Sequence, residues 1–381
     1  MATDRTNTLS DRTSRALTVM QAVLAVMVVC AHSPLTPPHE LSAYGVSVVS
    51  TMPELVVMPG FFLISGYLFF IRADRFGPDE YRLALRKRVR TLLVPYLAWC
   101  AISWCARVIA EPAAAHPPLY HLAQVFFPGF NGIPHGMGLL WYINQLMALC
   151  LLSPLVYMTV RLLRVWAIPL ALVLWMLLRV PGAGVNHNDF LAFFVGAALA
   201  INRVDFISIC GRLLTPVAIL WLAVTPFFVH FTTWDHRSRI SPDAFGALEL
   251  SYIILSFLLL AALSARIADF TPGGDDHPRR RRLFSAIATL APFTFFIYVT
   301  HTLPQVESIF LSISAAAEPW LPEGSAGHDL LYYTLLVPVR LALLVGMGTL
   351  LARLAPGVWS ALTGGRGDRR RAPRKAAVAT D

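Results

Sequence analysis

Charge is scarce in this chain. Of 381 residues only 14% are Asp, Glu, Lys or Arg, while 56% are hydrophobic, and the mean hydropathy is +0.60. A water-soluble domain of this size needs more charge to cover its surface, so the composition points to an integral membrane protein. Cysteine is sparse as well. Cys30, Cys100, Cys105, Cys150 and Cys210 are scattered through apolar runs, with no spacing that suggests a disulfide framework or a zinc site. They read as small buried hydrophobes, and no metal is expected. There is no phosphate loop, dinucleotide fingerprint, HExxH or short internal repeat. The opening "MATDRTNTLSDRTSR" is polar and the apolar run after it is long, so a cleavable signal peptide is not expected.

Long apolar runs are abundant. Crossing ~30 Å of hydrocarbon takes roughly 20 residues in a helix. Ten candidate spans can be marked, at 16–35, 46–71, 91–110, 138–160, 165–181, 188–201, 213–231, 246–265, 283–303 and 329–353. The expected fold is therefore all-α, a polytopic membrane protein of about ten transmembrane helices. With the N-terminus inside, every Lys and Arg but five falls in an inner segment; Arg107, Arg179, Arg237 and Arg239 lie outside and Arg340 lies within a span. Such asymmetry favours both termini cytoplasmic. The net charge of +9 is thus a topology signal and not a sign of nucleic acid. The run "RRRR" at 279–282 and the basic tail read as stop-transfer charge in contact with anionic lipid. The expected organisation is a polar tail over 1–15, a transmembrane domain over 16–362, and a basic, disordered tail over 363–381.

A few polar residues interrupt the spans. His32 lies toward the outer end of the first, in "LTVMQAVLAVMVVCAHSPL", and His301 lies at a similar depth in the ninth. The fourth begins outside with "GLLWYINQL", which brings Trp141, Tyr142 and Asn144 to that level. Together these could line a pocket, although Trp and Tyr also populate membrane interfaces with no catalytic role. Glu54 and Arg340 are ionisable groups deep in spans, where they cost a few kcal/mol or more unless paired or hydrated. A Glu54–Arg340 pair is one way to satisfy both. Pro53, Pro59, Gly60 and Gly66 suggest a broken second helix, a form that survives in a membrane only against protein or water. The small Ser65–Gly66 pair would admit a close neighbour. On the inner side, Arg86, Arg88 and Arg90 stand where a phosphorylated cytoplasmic donor could dock, since guanidinium binds phosphate bidentately.

Taken in order, "VVCAHS", "MPGFFLISGYLFF", "RKRVRTLLVPYLAW", "LLWYINQLMALCLLSPLVY", "FFIYVTHTL" and "LAPGVWSALTGGR" resemble the acyltransferase 3 family of bacterial membrane acyltransferases. The resemblance implies a ten-helix O-acyltransferase of the bacterial cytoplasmic membrane. It would move an acyl group, typically acetyl from cytoplasmic acetyl-CoA, to a hydroxyl of an extracytoplasmic or lipid-linked carbohydrate. It also implies His32 as catalytic base, the arginines after the second span as holders of the donor phosphates, and Ser65 and Tyr67 of "FFLISGYLFF" as part of the donor site. A neutral imidazole taking a hydroxyl proton is typically worth about 10²–10⁴-fold in rate.

The sequence departs from the family at Gln21, where relatives usually carry arginine eleven residues before the histidine. Eleven residues make three turns plus about 20°, so positions 21 and 32 share one helix face ~16.5 Å apart. Arg15 and Arg12 lie roughly 100° and 160° off that face. Relatives often show an Arg–Asp pair where Asn144 and Gln145 stand here, and neutrality at both places suggests an ion-pair network replaced as a unit. Two other readings compete with catalysis. One is a transporter or exporter of a glycan or lipid-linked sugar, with Glu54 and Arg340 in its path. The other is a non-catalytic relative that partners a polysaccharide-assembly complex.

Overall fold

The structure is a computed structural model that describes residues 9–33, 40–71, 76–110, 140–177, 187–271, 277–317, 319–320, 334–335 and 337–366. Every regular element among these residues is helical. Helix α1 (Asp11–Ala31) begins where Ser10 accepts a hydrogen bond from the Thr13 amide through its side chain, with Asp11 in the first turn. Both features satisfy the positive end of a helix. The apolar run that follows is buried among other helices, with Met20 and Leu24 fully enclosed. Helix α1 packs against α3 (Met52–Phe70), α12 (Pro242–Ile267) and α14 (Thr294–Thr300).

Between α2 (Glu40–Val46) and α3 the helix widens into a π turn over Ser47–Thr51. The expected break in the second span does not occur; Ala43–Phe70 is one long helical run. The prolines explain why. Pro53 stands two residues after the π turn, and its missing N–H and ring fall against Val49 inside that widened turn. Pro59 lies inside α3 and removes only one internal bond. Helix α4 (Pro78–Arg88) follows, then a second π turn over Val89–Leu93 and α5 (Val94–Ala110).

Helix α6 (Trp141–Leu151) ends at Leu152, and Pro154 opens α7 (Ser153–Leu163), which leads through a 3-10 turn at Arg164–Trp166 into α8 (Ala167–Leu177). Helix α9 (His187–Ile201) then folds back on α3 with unusual closeness. A Cβ on Gly66 would stand 2.1 Å from the Phe193 carbonyl oxygen, and one on Gly196 would stand 2.0 Å from that of Leu63. Only paired glycines allow that approach. The chain continues through α10 (Phe206–Arg212), α11 (Leu214–Thr232), α12, α13 (Pro278–Ala288), α14, α15 (Pro304–Ala317), α16 (Val337–Leu354) and α17 (Pro356–Thr363).

Seven helical runs among the described residues are long and apolar enough to cross a bilayer, or eight if α9 and α10, bent by 99°, form one span. Ten were expected. The spans expected at 91–110 and 138–160 border or overlap residues 111–139, which lie outside the described residues. Helix α6 is broken from α7 at Leu152, and α7 and α8 together make one run, Ser153–Leu177. Proline at the start of α7 lacks the N–H that would continue α6. Leu155, Met158 and Leu162 on α7, and Ile219, Leu222 and Phe227 on α11, are exposed. Apolar surface on this scale fits hydrocarbon and not water.

Candidate active site

The last four carbonyls of a helix have no intrahelical partner, and in α1 side chains around His32 take up three of them. Val28 O receives the His32 amide at 3.1 Å, Cys30 O receives the Ser33 amide at 3.1 Å, Val29 O receives the Ser33 hydroxyl at 2.7 Å, and Ala31 O receives the Ser50 hydroxyl at 3.1 Å. The His32 ring joins in, with Nδ1 3.0 Å from Val28 O. A carbonyl oxygen only accepts, so the shared hydrogen belongs to Nδ1 and the lone pair of the neutral ring lies on Nε2.

His301 caps α14 in the same way. Its Nδ1 lies 2.9 Å from Tyr298 O and 3.1 Å from Ile297 O. The residue is fully buried, and its Nε2 has no protein partner among the described residues. The two imidazoles meet edge to face with ring centroids 4.8 Å apart. Arg340 on α16, also buried, donates through Nη1 to the Ser33 hydroxyl at 3.0 Å and through Nη2 to the His301 carbonyl. One guanidinium thus ties the end of α1 to the end of α14 and sets the histidines against each other.

Below this pair lies a cavity of about 210 Å³ whose lining includes Gln21, Ser65, Arg88, Tyr142, Tyr298 and Arg366. The Ser65 hydroxyl and the Tyr142 phenol share a hydrogen bond of 3.1 Å, and the Tyr142 ring stacks edge to face on Tyr298 at 5.5 Å. Tyr298 connects the two sites, since its side chain lines the cavity while its carbonyl orients His301. Arg88 lies over the Phe69 ring at 5.2 Å, and Cys150 lines the cavity beside it. Arg366 lies over Phe295 at 4.4 Å. Burial pushes its guanidinium down to about 10, which leaves it cationic at neutral pH. Among the described residues the lining holds two cations and no carboxylate.

The structure brings together His32 with His301 and Arg340, and separately Gln21 with Ser65, Arg88 and Tyr142. It sets other candidates apart. Arg86 and Arg90 are exposed, whereas Arg88, between them, turns into the cavity. Tyr67 is buried against Phe206 at 5.0 Å and does not line the cavity. Trp141 packs near Phe62 at 6.3 Å. The Glu54–Arg340 pair does not form: Glu54 is exposed and makes no ion pair among the described residues. Asn144 and Gln145 are not among the residues that line the cavity with Gln21, although Tyr142 and Leu146 on the same helix are. Arg12 pairs with Asp269 at 3.4 Å, and Arg15 donates to the carbonyls of Ala268 and Phe270. Both are committed to the end of α12, and neither reaches the cavity.

Ser33, Tyr298 and Arg366 were not singled out from the sequence. Each lies within one of the family-like pieces, "VVCAHS", "FFIYVTHTL" and "LAPGVWSALTGGR", and the "GGR" also allows a tight reversal after a helix. Residues 14–351 match the family model described as an acyltransferase domain. The chain belongs to the acyltransferase 3 family. No curated protein and no solved structure shows significant similarity to it. This family member is a multi-pass membrane protein, and its histidine pair and cationic cavity both lie within the packed helices or their ends. The family match stops at residue 351, fifteen residues before Arg366.

Proposed function

We propose that this protein is an O-acyltransferase of the bacterial cytoplasmic membrane with both termini in the cytoplasm. It moves an acyl group, with acetyl as the default, from cytoplasmic acyl-CoA to a hydroxyl of an extracytoplasmic or lipid-linked carbohydrate. The observation that carries this reading is the tautomer of His32. Its Nδ1 hydrogen is committed to Val28 O, which leaves Nε2 as a base. It sits on the same α1 face as Gln21, three turns above the cationic cavity.

His32 Nε2 takes the proton of the acceptor hydroxyl as that oxygen bonds to the thioester carbonyl carbon. The carbon–sulfur bond then breaks, and the imidazolium returns the proton to the departing thiolate. Arg340 and His301 hold the ring in place, while Arg88 supplies positive charge for the donor's phosphates. The family resemblance supports the acyl donor and the carbohydrate acceptor.

The test uses the protein in lipid nanodiscs with radiolabelled acetyl-CoA and cell-envelope carbohydrate. Label should appear in the carbohydrate and depend on His32. Movement of unlabelled carbohydrate across a bilayer, with no transfer of label, would instead favour an exporter.

A further inference from the structure

We propose that the C-terminal turn over residues 360–366 is part of the donor site, and that Arg366 and Arg88 together hold a phosphate group of the donor in the cavity. This rests on the acyl-CoA reading above and names a residue beyond the family-matched region.

The turn is built to deliver this side chain. Gly364 and Gly365 have φ of +66° and +75°, the left-handed region that costs an L-residue energy. A Cβ on Gly364 would also stand 2.7 Å from the Thr91 carbonyl oxygen. The reversal is closed by the Gly365 amide donating to Ser360 O at 2.8 Å. Its base is fixed where Trp99 donates through Nε1 to Leu362 O at 3.0 Å and where Trp359 packs on Phe293 and Phe296.

Arg366 is then only partly spent on the protein. Its Nη1 donates to Thr91 O at 2.9 Å and to Thr363 O at 3.0 Å. Nε and Nη2 have no protein acceptor among the described residues, and the residue lines the cavity. Thr91 belongs to the π turn that follows Arg88, so one short segment positions both cations. Two guanidiniums facing one cavity with no carboxylate among its described lining residues repel each other, and removal from water strengthens that repulsion. An anion between them relieves it, and phosphate accepts from guanidinium forks in the geometry they offer. Gln21, Ser65 and Tyr142 add neutral hydrogen-bonding groups to the same lining.

The experiment uses the full chain in nanodiscs of phosphatidylcholine and measures binding of radiolabelled CoA by equilibrium dialysis. Arg366→Gln should weaken CoA binding at least about 10-fold, and Arg366→Lys, which keeps the charge but loses the fork, should fall between. Arg82→Gln, an exposed change on α4, serves as control. Thermal unfolding of each variant without CoA separates loss of fold from loss of binding. Binding unchanged in a folded Arg366→Gln or Arg366→Lys protein overturns the proposal. A second arm adds phosphatidylglycerol. If this lipid displaces CoA only when Arg366 is present, the site takes phosphate from either source. If the lipid stabilises the protein through Arg366 and CoA never binds, a lipid headgroup is the occupant and the donor assignment fails. Transfer is scored separately. Arg366-dependent CoA binding without acyl transfer would sink the enzymatic reading and leave the anion site standing. Transfer that needs His32 but ignores Arg366 would do the reverse.

Discussion

His32, Ser33, His301 and Arg340 form a unit in which each member has its hydrogen bonds directed by a neighbour. Arg340→Met keeps the bulk of the side chain and removes both donors. Its expected effect is a fall in kcat of about 10²-fold, the scale set by a small misplacement of a catalytic group, with donor KM little changed. Steady-state kinetics with the donor varied reads both numbers. Arg88→Ala should do the opposite, raising donor KM roughly 10-fold or more through loss of a charge-assisted bond, whereas Arg86→Ala should do much less because Arg86 is exposed. Sequence reasoning could reach the two histidines, Ser65 and Tyr142, because polar groups in apolar runs stand out. It chose Glu54 as the partner of Arg340 because opposite charges attract. Two acceptors that Arg340 does reach are the Ser33 hydroxyl and the His301 carbonyl, and neither pairing is written in charge. Which of Arg86, Arg88 and Arg90 turns inward depends on the helix phase just before a π turn, which periodicity alone does not supply.

Helices α3 and α9 touch backbone to backbone through Gly66 and Gly196. Gly196→Ala places a methyl group against the Leu63 carbonyl, so the helices must separate along with Ser65 and Phe61 of the cavity wall. The expected cost is at least about 1–3 kcal/mol, read as a lower unfolding temperature in detergent and a reduced yield of folded protein. Gly346→Ala, with no atom within 4 Å of the added carbon, should be tolerated and serves as the control. The helical character of these elements was legible because long apolar runs have one outcome in a bilayer. Their number and continuity were less so. Pro59 looked like a break, yet the helix passes through it, while the real departures from α-helix are two π turns at Ser47–Thr51 and Val89–Leu93. Each is followed two residues on by a proline, Pro53 and Pro95, whose ring and missing N–H act four residues back, inside the π turn. The sequence marked a disturbance there but not its form.

At the scale of the whole molecule, basic residues gather toward one end of the spans and apolar side chains cover the flanks. The topology proposed above, with both termini in the cytoplasm, is the one the positive-inside rule favours. Single cysteines introduced near residue 10 and near residue 366 should react with a membrane-impermeant thiol reagent only after the cells are opened. Labelling of either in intact cells would reverse the topology. The neutral Gln21 also acquires a physical reason at this scale, since it faces a cavity that already contains Arg88 and Arg366. Gln21→Arg adds a third cation and should lower the unfolding temperature without ligand, with CoA restoring more stability than it gives the wild type. The central claim is that His32 is the base and not a binding residue. The direct measurement is single-turnover transfer from prebound acetyl-CoA, made beside CoA binding on the same nanodisc samples. The account predicts that His32→Ala binds CoA like the wild type and transfers the acyl group at least about 10²-fold more slowly. Transfer at the wild-type rate would contradict it.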